Sequence, residues 1–254
     1  MTEIVSIEQA RRMDGLRMVS LGGVPSPWTE AARGLFRIKS IEHVLARQGE
    51  DEPADAAMQW VGDVGVPAVV YNDEKVRTRW DEILLLAERL APEVPLLPAD
   101  AAARAWCLGL AHEICGEMGL GWCQRYYLID QSFRFGEAAG FPRHVAEYLA
   151  PRYGWFEGAA EVGKARVIAL LKLFAGQLGK QDYLIDNALT AADVYLATFA
   201  NLIRPLPPEQ LPMTEMVRKA YTCRDSDVMA AFDDRLAAHQ ERVYQRHLEL
   251  PVQL

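Results

Sequence analysis

Apolar residues change their period part-way along this chain. Up to Tyr71 they come in short runs divided by Gly- and Pro-containing turns, and beyond Pro98 their spacing is helical throughout. Leu16 to Leu21 predicts a strand, closed by the turn Gly22-Gly23-Val24-Pro25. Ser26-Pro27 opens a helix, with proline in the first helical position where its missing N–H costs nothing. Ala31, Ala32, Leu35, Phe36 and Ile38 form the apolar stripe of that helix, which should end near Lys39-Ser40. His43 to Gln48 predicts a second strand, completing a β-α-β unit. The acidic loop Gly49 to Asp55 leads into a short helix over Ala56 to Val61. Val66 to Tyr71 predicts a strand entered through Pro67, and Asn72-Asp73-Glu74 a turn before an extended piece, Lys75 to Thr78. Trp80 to Leu90 carries Ile83, Leu84, Leu86, Ala87 and Leu90 at helical spacing.

The Pro-rich stretch Ala91 to Pro98 reads as an interdomain connection. It divides the chain into domains at 15–91 and 99–248. In the second, helices are expected at 101–118, 122–132, 143–149, 159–178, 190–203, 213–222 and 227–248, with no strand after Tyr71. Met1 to Asp14 and Glu249 to Leu254 are expected to be appendages. One helix start is specified twice over: Thr190 and Asp193 can cap each other reciprocally, and Leu189 with Val194 occupies the positions of a hydrophobic staple.

Charge narrows the function classes. Asp plus Glu number 35 against 27 Lys plus Arg, and the net charge of -8 opposes binding to nucleic acid. No stretch is apolar enough to cross a bilayer and the first residues lack a signal-peptide pattern, so the cytoplasm is the expected compartment. The cysteines, Cys107, Cys115, Cys123 and Cys223, have no C-x-x-C or zinc spacing, so free buried thiols and no metal are expected. His112-Glu113 begins like a zinc-protease motif, but Gly116 stands where the second His belongs.

The order of elements resembles the glutathione transferase superfamily: a thioredoxin-like α/β N-terminal domain, a Pro-rich linker and an all-α helical-bundle domain. Val66-Pro67 is similar to the family's Val and cis-proline, Leu189 to Ala197 to the capping box and staple of its core helix, and Arg166 to Leu184 to the long helix before that box. The resemblance implies glutathione as co-substrate, a two-fold homodimer across Trp80 and Arg104 to Ala111, and an apolar electrophile as second substrate. It places the sulfur-activating hydroxyl at Ser26, where a donor and a helix N-terminus favour thiolate over thiol. The plain alternative is that Ser26 only caps its helix.

Val66 would pair with a peptide ligand as an added strand if its bond to Pro67 is cis, whereas a trans proline at a strand entrance has no such role. The family's acidic-Ser pair falls on Arg79-Trp80, which can bind neither the ammonium nor, through a hydroxyl, the carboxylate of the γ-glutamyl end. Arg79 could hold that carboxylate, with the ammonium left to Asp81 or to a partner subunit, while Trp80 reads more readily as core or interface packing. Gly65 stands where the family often carries Lys or Gln. The electrophile pocket would draw on Trp28, Trp106, His112, Cys115 and Trp122, with the glycines at 119 and 121 bending the helix over it; His112 could also be an ordinary inter-helix histidine. A binding or scaffold protein that has lost the thiol site is the other reading.

Overall fold

The computed structural model describes residues 2–49, 51–53, 55–62 and 65–254. It divides into two compact units, one running to Pro95 and taking in Leu254, the other covering Leu96–Gln253.

The first unit is a four-stranded sheet in the order β1-β3-β2-β4. Its strands are β1 (Glu3–Ser6), β2 (Leu16–Val19), β3 (His43–Arg47) and β4 (Ala68–Tyr71). β3 lies parallel to both β1 and β2, and β4 runs antiparallel to β2. Strand alternation sorts the core into two faces. Register puts Met18 opposite Leu45 and Val69, and all three are fully buried. Helix α2 (Pro27–Ile38) covers this face, since its Phe36 ring meets the edge of His43, two residues along β3 from Leu45. Val19, Ala46, Ala68 and Val70 form the other face, packed with Ile7 and Ala10 of α1 (Ile7–Arg11) and Ala56 and Val61 of α3 (Ala56–Val61). Helix α4 (Trp80–Leu90) contacts α2. The extended piece after β4 survives only as a bridge between Val69 and Arg77.

One expectation is corrected here. Residues before Asp14 are no appendage: β1 is an edge strand of the sheet, and Ile7 and Ala10 are buried core. Ser6 and Gln9 form a capping box that the sequence carries as S-x-x-Q. The other end is integrated as well, with Val252 buried and its N–H bonded to the Gln210 carbonyl at 2.8 Å.

The second unit holds α5 (Ala101–Cys115), α6 (Leu120–Phe135), α7 (Arg143–Tyr153), α8 (Ala159–Leu178), α9 (Ala191–Ala200), α10 (Glu215–Tyr221), α11 (Ser226–Ala231) and α12 (Asp234–His247). The expected helix 227–248 is two, because Asp233 accepts from the N–H groups of Arg235 and Leu236 and starts α12 afresh. α7 continues past the expected end at Leu149, carrying Pro151 in its last turn before Gly154 closes it in the left-handed conformation. Helix α9 is buried along its whole length. Its start is as the sequence specifies: Asp193 Oδ2 accepts from the N–H and the hydroxyl of Thr190, both at 2.8 Å. The other oxygen accepts from Leu184 N–H at 2.8 Å and His239 Nε2 at 2.9 Å.

Candidate functional site

Ligands of open sheets collect outside the carboxyl ends of parallel strands. In the first unit that end carries Ser20 after β2, Arg47 at the end of β3, and the start of α2. Ser26 precedes α2 with extended backbone (φ −67°, ψ 118°), and its carbonyl accepts the Glu30 N–H at 2.9 Å. Ser26 is thus the N-cap residue by its backbone, while its hydroxyl makes no capping bond. Ser26 is only 9% exposed, which leaves a nearly buried hydroxyl at the positive end of an amphipathic helix.

The polar environment behind Ser26 was not anticipated. Thr29, Glu30 and Arg33 follow Ser26 on one side of α2 at helical spacing, a signal that an i, i+3, i+4, i+7 count for polar residues would have found. The Arg33 guanidinium bonds the Glu30 carboxylate at 3.0 Å with both side chains largely buried. Arg47 lies along the turn at Gly22, where an added Cβ would stand 3.7 Å from its side chain, and it donates to the Leu254 carbonyl at 3.1 Å. Burial lowers the pKa of Arg47, and nearby Arg33 lowers it further against the pull of Glu30. Arg33, Glu30 and Arg47 thus gather charged groups beside the α2 start. Ser20 Oγ, Thr29 Oγ1 and Arg47 Nε are buried with no hydrogen-bond partner among the described residues.

Val66-Pro67 is cis. Among the described residues, neither the N–H nor the C=O of Val66 takes part in a backbone hydrogen bond. Gly65 is exposed and nothing lies within 4 Å of where its Cβ would be. Arg79 is held by its near neighbour: its Nε and Nη2 bond the two Asp81 oxygens at 3.0 and 2.8 Å. The same bidentate contact lowers the Asp81 pKa. Trp80 is the half-buried first residue of α4, and Trp28 is half-buried in the first turn of α2.

In the second unit the candidate pocket residues diverge. Trp106 projects from α5 at 46% exposure, whereas Cys115 on the same helix is buried at 3%. His112 is exposed, its ring lying over Gly116 so closely that a Cβ there would meet Nδ1 at 2.5 Å. The expected interruption falls at Gly116 to Gly119, with Met118 at φ 59° and the loop fastened by Arg166, which pairs with Glu113 and donates to the Met118 carbonyl. Beyond it Trp122 turns to an aromatic group, donating to Tyr126 Oη at 3.3 Å and stacking edge-on with Tyr153. The four cysteines are buried and form no disulfide with one another. Burial raises the thiol pKa of Cys107 and Cys223 and pushes that of Cys123 up to about 11, which leaves them poor nucleophiles. Among the described residues no group of His, Cys, Asp and Glu could hold a metal.

Comparison with known proteins agrees with this fold. Residues 156–222 match the family model "Glutathione S-transferase, C-terminal domain". Solved structures similar over nearly the whole chain include a glutathione S-transferase from Methylobacterium radiotolerans in complex with glutathione sulfonate, at 17% identity, TM-score 0.60 and 91% coverage of each chain. A glutathione transferase family member from Pseudomonas fluorescens with two glutathione bound has 13% identity, TM-score 0.63 and 94% coverage of each chain. A rice enzyme in complex with glutathione has 18% identity, TM-score 0.59 and 94% coverage of each. The chain has the fold of the glutathione S-transferases. No curated protein matches it.

Within the glutathione S-transferase fold, the first unit is the thioredoxin-like half, to which β1 and α1 are added ahead of the β-α-β order read from the sequence.

Proposed function

We propose that this protein binds glutathione or a closely related thiol peptide in its thioredoxin-like half and uses the sulfur on an apolar electrophile. The observation that carries the reading is the Ser26 hydroxyl, nearly buried at the α2 start and engaged in no cap. A hydroxyl donor and the aligned N–H groups of a helix start both favour a thiolate over a thiol, and a thiolate is the form that attacks an electrophile. The backbone of Val66, without a backbone hydrogen bond among the described residues, suits pairing with a peptide. Glutathione bound in structures of the same fold adds support. A homodimer and a cytoplasmic location belong to the proposal, to be checked by light scattering and by cell fractionation.

The test is calorimetric titration with glutathione together with the ultraviolet absorbance of its thiolate. Wild type should bind and show thiolate at neutral pH; Ser26→Ala should bind with the thiolate signal lost. No heat at millimolar glutathione would overturn the reading. Non-catalytic binding is the second reading, favoured by one observation: Arg79 and Asp81 neutralise each other and so offer the γ-glutamyl end neither charge freely. Turnover of a generic electrophile above background would remove it.

A further inference from the structure

Helix α1 spans only Ile7–Arg11, too short to persist on its own, and contacts from elsewhere hold it. Its first turn is satisfied from within by the Ser6 and Gln9 box, with bonds of 2.9 and 3.2 Å. It is also satisfied from far along the chain. The Glu52 carboxylate accepts the N–H of Glu8 at 2.6 Å and of Ile7 at 3.2 Å, and at the same time the N–H of Gly49 at 2.6 Å. One side chain therefore ties the added N-terminal element to the loop between β3 and α3. Hydrogen bonds from the backbone of Glu8 first, then from Gly49, Ser6 and Ile7, hold its carboxyl below the usual range, so the acceptor is charged at neutral pH.

The packing continues from that tie toward the candidate site. Ile7 and Ala10 share one cluster with Ala56 and Val61 of α3, and Trp60 and Val66 pack against the same cluster. The Arg17 guanidinium, which donates to the carbonyls of Met13 and Asn72, lies 5.7 Å from the Trp60 ring centre. Between α3 and Val66 the chain passes Gly62 at φ 84° and Gly65, and neither has an atom within 4 Å of a Cβ position. The glycines lend the backbone freedom and fix nothing by themselves, so what places Val66 is the cluster it shares with Ala56 and Val61 of α3.

We propose that Glu52 is a positioning residue: by fastening the β3–α3 loop to α1 it braces α3 and holds the Val66 strand edge in the form that receives the thiol peptide. The peptide part of this statement rests on the function proposed above; the brace does not. The experiment is hydrogen exchange by mass spectrometry on the ligand-free full chain, comparing wild type with Glu52→Ala, Glu52→Gln and Glu52→Asp. Loss of hydrogen bonds to a charged acceptor should speed exchange in Ala56–Gly62 by about tenfold or more in Glu52→Ala, with α2 unchanged, while Glu52→Asp restores most of the protection. Glutathione KM should rise by a similar factor, about tenfold, with kcat unchanged, since Glu52 touches no reacting atom. Unchanged exchange in Ala56–Gly62, or equal acceleration in α2, would overturn the brace. Failure of wild type to bind glutathione would sink the functional reading alone, and exchange would still decide the brace.

Discussion

Two helix starts in this chain are built on opposite principles. At α9, Asp193 satisfies the Thr190 N–H and hydroxyl, the Leu184 N–H and the His239 ring, all in a fully buried setting. At α2, the Ser26 hydroxyl caps nothing, and the buried oxygens of Ser20 and Thr29 and the Nε of Arg47 have no partner among the described residues. Buried polar groups are ordinarily satisfied, and the exceptions call for a reason. At α9 His239 Nδ1 is without a partner among the described residues too, but the cap itself is complete and serves the fold; the open α2 start is the one the proposed thiol site would use.

The comparison predicts a double dissociation. Asp193→Ala should have the largest effect of any single change discussed, because it strands the N–H groups of Thr190 and Leu184 and removes the hydrogen-bond partner of His239 Nε2. Each buried polar group left unsatisfied costs about 1–3 kcal/mol, read as the shift of the denaturation midpoint. Asp193→Asn, which keeps an acceptor of the same shape, should lose less. Ser26→Ala should move the midpoint by under about 0.5 kcal/mol, since no cap is removed, while kcat with an electrophile falls on the order of a hundredfold. A Ser26→Ala protein that unfolds readily, or an Asp193→Ala protein as stable as wild type, would collapse the distinction between the two starts.

Sequence made one of these starts legible and hid half of the other. Thr190, Asp193, Leu189 and Val194 stand within one turn or so of each other, so their capping chemistry shows in the linear order. His239 comes from α12, far along the chain, and no local pattern announces that its ring completes the Asp193 shell. Pro27 revealed the α2 start, yet whether Ser26 caps it depends on side-chain geometry that spacing leaves undetermined. Arg47 could be placed on a strand but not beside Gly22, and Glu52 looked like part of an acidic loop until the fold brought α1 to it. The strand β1 went unread because its few residues alternate too briefly, with Ile4 exposed, to stand out from a terminus. The helix expected at 227–248 was divided by Asp233, whose cap lies inside an otherwise continuous helical pattern.

The smallest effect concerns the periphery of the α9 lock. Tyr183, next to the Leu184 that bonds Asp193, shares a 2.7 Å hydrogen bond with His247 Nε2 at the end of α12. Burial lowers the His247 pKa from 6.5, Arg246 lowers it further, and Asp193 opposes them. A histidine with a lowered folded pKa takes up its proton more readily when unfolded, so stability rises with pH across that interval. The contribution is complete above 6.5, the unfolded value, and drains away as pH falls from there to the folded value. Melting temperatures recorded from pH 8 down to pH 5 should therefore decline, and His247→Phe should flatten part of that decline while leaving Ser26-dependent chemistry untouched. Because this ring is partly open to water, the effect should stay below about 1 kcal/mol. A slope of the same size in His247→Phe would show that the loss at low pH arises elsewhere, and that the α12 contact adds nothing to the Asp193 shell it borders.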